Sequence, residues 1–436
     1  TRRRVDGGYN IGFGGMVNLS LPKYLEAKAA KLNGAHFNLV PGGGQPGGPF
    51  YNYYVSKYEV THAQYQRFLN DAQANPKDPR GSHMVFDAQG NVWISRARKR
   101  DRDELFSLAN SRLTYDPAKP SGARYDHRRA ADKSAPFASH PVSGVSWYGA
   151  VKYCNWLTVE SGRTPAECCY QEGTNGLDWA PSTATNWLRG AFGDAERQLW
   201  LAAKGFRLPM VNDDAPVLTT NSFNEFYKAG AWHIYTNRSY GFGRDIFDGT
   251  DANCRDTIGV HKPASMPVGF FNGDTLLGRI RTHPNSNLFG LFDLTGNADE
   301  WTTDFGARRR TGGRIVAGGS WNNRLMPLAT CRSTPPHVTD LTAGFRPVTT
   351  YMPSEKLVIH ILYSFFMETS AGPAGALEAP VTQATEAIPS EELAGLDALS
   401  HEPSIKGLTY REPPESPPFE PTEPGGPGGP SQPPGT

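Results

Sequence analysis

Long apolar runs are missing from this chain. No stretch reaches the ~18–20 residues that a membrane-spanning helix requires. The longest candidate, residues 357–367, is shorter and is interrupted by His360 and Ser364. Its β-branched and aromatic content reads as a strand buried on both faces or covered by a partner. Histidine metal spacings are missing too: none of the 11 His stands in a His-Glu-x-x-His or His-x-x-x-His pattern. His127 and His140 therefore read as surface or packing hydrogen-bond formers. The segment Gly144-Val145-Ser146-Trp147-Tyr148 lacks the second glycine of a nucleophile elbow. Cysteine is scarce and odd in number, five in 436 residues, so at least one thiol lies outside any intrachain disulfide. Adjacent Cys168 and Cys169 are poor partners for each other. With 38% hydrophobic residues, 47 Gly and 36 Pro, a helical bundle or coiled coil is excluded in favour of loop-rich globular structure.

What the chain does have is unevenly spread. Net charge is +1, yet residues 371–436 hold ten acidic side chains against Lys406 and Arg411, leaving the first 370 residues at about +9. Nine Trp, 18 Tyr and 22 Phe suit a fold in which aromatic rings anchor long loops or line a binding surface. The chain opens at Thr1 without Met or an apolar signal core, the pattern of a processed form.

Four segments follow. Residues 1–50 form an N-terminal extension with a short helix expected over 22–32 and a Gly-rich loop after Pro41. Gly42, Gly44 and Gly47 match a phosphate-cradle spacing. Pro46 falls inside it, and an alternating strand over 50–58 follows where a helix is needed, so the reading is a plain loop. Residues 51–350 carry the domain. Thr61-His62-Ala63-Gln64 is a capping box before an apolar stripe of Tyr65, Phe68 and Leu69. A second helix starts at Ser146, with Trp147, Ala150, Val151, Cys154 and Leu157 on one buried side. Ser222 and Glu225 predict the cap of a third, carrying Phe226 and Tyr227. Residues 75–140 and 171–203 read as surface insertions. Residues 351–370 hold the apolar strand, and 371–436 an acidic tail in which ten of the last 26 residues are Pro. That tail is an extended linker, or a polyproline segment lying along another molecule.

The chemistry concentrates in the last third. Asp293 and Glu300 offer carboxylates on either side of a glycine turn whose carbonyls can point inward. That arrangement suits calcium, which takes six to eight hard oxygens, and it equally describes an ordinary acidic turn. Arg308, Arg309 and Arg310 could meet phosphate, but no recognition helix or zinc module accompanies them, and no nucleic-acid partner is expected.

The motifs resemble the formylglycine-generating enzyme, or sulfatase-modifying factor, family. The residues concerned are Lys57-Tyr58-Glu59-Val60-Thr61, Pro141 to Trp147, Tyr153-Cys154-Asn155-Trp156-Leu157 and Phe206-Arg207-Leu208-Pro209. Gly296-Asn297-Ala298-Asp299-Glu300-Trp301, Gly318-Gly319-Ser320-Trp321 and Gly344-Phe345-Arg346 complete the family order. The resemblance implies an α+β domain of the C-type-lectin-like fold variant, with low regular secondary structure and long loops. It implies a structural calcium site at Asp293, Gly296, Ala298 and Glu300, and a second at Asn253, Cys254 and Asp256 whose spacing departs from the family pattern. Copper in the family is held by two thiolates shortly after the Gly-Gly-Ser motif, because soft sulfur captures Cu(I). Here those positions are Asn323 and Leu328, so no copper and no catalytic residue are expected. Cys331, three residues on, reads as a buried structural cysteine. The expected function is a non-catalytic module that binds protein or glycan, or a structural subunit of an extracellular or cell-envelope assembly. Its surface would comprise Trp321, Asn322, Asn323, Arg324, His337 and Asp340, with self-assembly through Leu357–Phe366 and the Pro-rich tail. An altered, copper-independent oxidase is the alternative.

Overall fold

The computed structural model describes residues 8–9, 19–20, 32–43, 48–94, 103–129, 136–212, 217–233, 236–258, 264–306 and 312–351. The chain divides into Thr1–Ser370 and Ala371–Thr436. The second unit, residues 22–31 of the helix expected over 22–32, the middle of the Gly-rich loop, Arg308 to Arg310 and the strand Leu357–Phe366 lie outside the described residues.

The structure is a mixed α+β domain of few helices, small sheets and long loops. A three-stranded antiparallel sheet sets β1 (Phe37–Val40) against β2 (Tyr53–Ser56), whose other edge takes the last short strand, Val348–Thr349. All four residues of β2 are buried, so the alternation expected over 50–58 becomes a central strand covered on both faces. Helix α1 (His62–Ala74) begins as expected: the Thr61 side chain accepts from Gln64 N, and Gln64 Oε1 accepts from Thr61 N at 2.8 Å. Tyr65, Phe68, Leu69 and Ala72 form its buried stripe.

Helix α2 (Trp147–Glu160) is capped by Ser146, whose Oγ accepts from Gly149 N. It departs from expectation in burial: every residue from Trp147 to Thr158 is buried, polar ones included. The reason lies in the two segments read as surface insertions. One forms the short strands Val85–Phe86, Val92–Trp93 and Glu104–Phe106 and the hairpin of Leu113–Tyr115 with Tyr125–His127. It delivers Leu105, Phe106, Leu113 and Tyr125 to the core. The other delivers Trp179, Trp187 and Trp200. Lys152, a polar residue on a buried helix, donates to the Pro79 carbonyl and Glu172, and Asn155 to the Tyr170 carbonyl and Glu172. Tyr65, Phe68, Tyr153, Trp156 and Phe345 pack ring on ring at centroid distances of 5.0–6.2 Å.

Helix α3 (Asp194–Trp200) precedes α4 (Glu225–Ala231). The α4 cap is Asn224, which accepts from Tyr227 N, and not Ser222. Asn at the N-cap presents its oxygen to the third helical amide directly. A four-stranded sheet completes the domain. In it β3 (Asp299–Phe305) pairs antiparallel with β4 (Arg314–Ala317), β4 antiparallel with β5 (Cys331–Thr334), and β3 parallel with β6 (Ala343–Phe345). Cys154 is buried as expected, whereas Cys331, at the start of an edge strand, is only half-buried. No disulfide forms among the five cysteines.

Candidate functional site

The Gly290–Trp301 segment turns inward before entering β3. Asp293, Gly296 and Asn297 all take positive φ (59°, 87° and 64°), a conformation that Gly accepts freely and Asp and Asn tolerate better than other side chains. Two backbone bonds pin the turn: Gly296 N donates to Gly318 O at 2.9 Å, and Trp321 N to Asn297 O at 3.0 Å. The Gly-Gly-Ser-Trp motif therefore lies directly against the glycine turn.

Here the structure gathers buried carboxylates. Asp293 accepts from Gly269 N at 2.6 Å. Glu59 accepts from Ala298 N and from Asn297 Nδ2, both at 2.8 Å. Glu300 takes Arg346 on both oxygens, at 2.8–3.1 Å, while Arg346 also donates to the carbonyls of Ser56 and Phe292. All four side chains are almost wholly buried. Burial, and then repulsion from Asp293 and Glu300, pushes the Glu59 carboxyl well above the usual range. Asp293 is pushed up to about 6, again chiefly by burial. Glu300 is also raised by burial, against the pull of Arg346. Three carboxylates thus lie near one guanidinium, which pairs directly with Glu300 alone, in a medium of low dielectric.

Asp293 and Glu300 were legible as candidates; Glu59 and Arg346 were not assigned a role. The available signal was a lone charge inside an apolar run, Tyr58-Glu59-Val60 and Phe345-Arg346-Pro347. Such a charge needs a buried partner. Asn253 is buried beside this network, donating to Asn297 Oδ1 at 3.0 Å, and its own Oδ1 has no partner among the described residues. Cys254 is buried as well, whereas Asp256 is exposed and accepts from Leu325 N. The structure directs Asn253 and Asp256 to different neighbours.

The six expected recognition residues fall on two loops held by different parts of the chain. Asn322 and Arg324 are exposed, and Trp321 and Asn323 half-buried. This turn is held by Arg255, whose backbone N donates to Asn323 O and whose guanidinium donates to Asn322 O. His337 and Asp340, both half-buried, belong to the β5–β6 connection, where Gly144 N donates to Asp340 O and Trp147 N to Pro336 O. Arg332 links the second loop to the sheet, at 2.9 Å from Asp299 and 3.7 Å from Asp340.

The two positions of interest for copper present no soft ligand. Asn323 Oδ1 accepts from Ser320 Oγ at 2.6 Å. Leu328 is fully buried, its methyl carbons 2.7 Å from where a β-carbon on Gly230 would sit. These residues do not fit Cu(I).

Fold and site together define a loop-rich α+β domain knotted around a buried acidic turn. The FGE-sulfatase family, described as a sulfatase-modifying factor enzyme 1-like domain, matches residues 48–351, and the chain belongs to that family. It is similar to the formylglycine-generating enzyme of Bos taurus, 29% identical over 126 residues, and to that of Mus musculus, 26% identical over 126 residues. Each match takes in 28% of this chain and 30% or 31% of the relative, so it spans about three-tenths of those proteins. Among solved structures it is similar to CarF, with 19% identity and a TM-score of 0.42 over 73% of this chain and 99% of that one. Treponema denticola variable protein 1 gives 15% and 0.39 over 73% and 95%, and PvdO from Pseudomonas aeruginosa 14% and 0.34 over 72% and 90%. No helix among the described residues is long and apolar enough to cross a membrane.

Proposed function

We propose that this chain is a non-catalytic member of its family, a calcium-stabilised module that recognises a protein or glycan or serves as a structural subunit. One observation carries the reading: at the two thiolate positions of the family stand a hydrogen-bonded amide and a leucine packed into the core. A hydrocarbon under α4 leaves no room for a metal and supplies no electrons to one.

Calcium fits the acidic turn. Three buried carboxylates against one guanidinium leave negative charge uncompensated, and Asn253 Oδ1, without a partner among the described residues, adds a buried acceptor nearby. Asp293 and Glu300, with the carbonyls of Gly296 and Ala298, would hold the ion, which would supply charge neutralisation rather than chemistry. Asn253, with Cys254, would serve a second ion. Exposed Asn322 and Arg324, with Trp321, Asn323, His337 and Asp340, suit adaptable polar recognition. An extracellular or cell-envelope setting fits a domain that needs calcium, and Leu357–Phe366 with the Pro-rich tail would serve self-assembly.

The test pairs metal with turnover. Purified full-length protein is titrated with Cu(I) under a competing chelator, then incubated with a cysteine-containing peptide and followed by mass. Neither tight Cu(I) binding nor a change in peptide mass is expected. Stoichiometric Cu(I), or conversion of the peptide cysteine, would replace this reading with that of an altered oxidase.

A further inference from the structure

Outside the acidic turn, three metal-ligating side chains converge among the described residues. Asp248, Asp251 and His283 each bring a ligand atom within 4.8 Å of the others. His283 Nδ1 lies 3.0 Å from Asp248 Oδ2, 3.1 Å from Asp251 Oδ1 and 3.1 Å from Thr250 Oγ1. The backbone fixes this arrangement: His283 N donates to Thr250 O at 2.9 Å, and the Asn285 side chain to Asp251 O at 2.9 Å. The Asp251 side chain is 1% exposed, while His283 and Asp248 are 44% and 48% exposed. The cluster is anchored in the interior and open to solvent.

Three features beyond the acid count point to a cation. First, His283 Nδ1 carries at most one proton and faces both carboxylates, so it can serve only one of them, and Asp251 Oδ1 otherwise relies on Arg244. An ion in place of Arg244 would meet Nδ1 and both carboxylates together. Second, the three ligand atoms lie within 4.8 Å of one another, close enough for one ion with bonds of about 2.1 Å to reach all of them after small side-chain shifts. Third, a positive group already reaches for the place: Arg244 Nη2 contacts Asp251 Oδ1, and its Nη1 stands 3.5 Å from His283 Nδ1. The Arg244 side chain is 41% exposed and so can swing away.

We propose that Asp248, Asp251 and His283 bind a divalent transition cation of the zinc class, in competition with Arg244. An imidazole nitrogen among carboxylates selects such an ion over calcium, which prefers oxygen throughout. The ion would fasten the 244–251 loop to the segment around His283. That loop runs into Arg255, which holds the carbonyls of Asn322 and Asn323, so a bound ion stiffens the support of the recognition turn.

Full-length protein, stripped with chelator and then saturated with calcium, is titrated with Zn²⁺ by calorimetry and with Co²⁺ by visible absorption. One equivalent is expected. His283→Gln and Asp251→Asn should each weaken binding more than about tenfold, Arg244→Ala should tighten it, and Asp293→Asn should leave it unchanged. Melting curves on each variant exclude unfolding as the cause, and Arg244→Ala keeps every ligand. No saturable binding by the wild type and Arg244→Ala overturns the proposal, as does binding that persists at full strength in His283→Gln. Neither result touches the calcium reading, because calcium is saturating throughout.

Discussion

His62 sits inside the domain with Nδ1 3.3 Å from the carbonyl of His140, while its Nε2 accepts from Arg112 N at 3.3 Å. Burial lowers it to about 3, and His140, also by burial, to about 4. An unfolded histidine titrates near 6.5, so between 6.5 and these values the unfolded chain binds more protons than the folded one. The stability from the neutral rings is complete above pH 6.5 and is lost as pH falls, down to about 4 for His140 and about 3 for His62. For His62 alone the loss by pH 5 is about 2 kcal/mol. Buried carboxylates with raised values act in the opposite sense, so the measurement is a difference. Urea unfolding of wild type and His62→Asn at pH 7.5 and pH 5 should show the wild type losing more, and equal losses would refute the assignment. That His62 opens a helix was plain from the capping box; that its ring is dry was not, because the His140 carbonyl comes from 78 residues away. Arg207 repeats the lesson. Its motif was recognised, but its partner Glu225, at 2.6 Å with both side chains wholly buried, was known only as a cap neighbour.

At the scale of elements, α2 carries the sharpest contrast between local preference and packing. Alanine in a helix interior is favoured over glycine by about 1 kcal/mol, so propensity alone makes Gly149→Ala stabilising. In the folded domain a β-carbon there would lie 2.2 Å from the carbonyl of Leu105 and 2.8 Å from Tyr65 Oη. The same carbonyl accepts from Ser146 N at 3.0 Å, so the strand Glu104–Phe106 has nowhere to retreat. Gly149→Ala should therefore cost about 1–3 kcal/mol, read as a lower urea midpoint; an unchanged or higher midpoint would mean that the strand is not pressed on the helix. The N-caps of α1 and α2 were legible because Thr and Ser cap through contacts within three residues. The Asn224 cap was misplaced by two residues, since Ser222 and Asn224 are both good caps and the choice depends on where Glu225 must meet Arg207. Burial of α2 on every side was invisible, because its cover comes from polar-looking segments of which Phe106, Tyr125, Trp179, Trp187 and Trp200 face inward.

At the scale of the molecule, the acidic turn draws on distant parts of the chain: Glu59 after β2, Asp293 and Glu300 around the turn, and Arg346 after β6. An ion held there ties the first third of the domain to the last. A ligand bound only by the folded state at a hundred times its Kd adds about 2.7 kcal/mol. For roughly 300 residues this corresponds to a Tm rise of about 4 °C. Calcium added to chelated protein should raise Tm by this order, and Asp293→Asn or Glu59→Gln should shrink the effect; identical melting curves with chelator and with calcium would remove the ion from the account.

Family membership, the first two helix starts, the acidic turn and the absence of two thiols are all written in runs of a few residues, where neighbours along the chain are also neighbours in space. Glu59 beside Asn297, Asn253 behind them and three oxygens around His283 are not, since each depends on loops closing over tens to hundreds of residues. A dry carboxylate and a solvated one have the same letter in the sequence. Only the fold, by excluding water from one and not the other, decides which of them needs a cation.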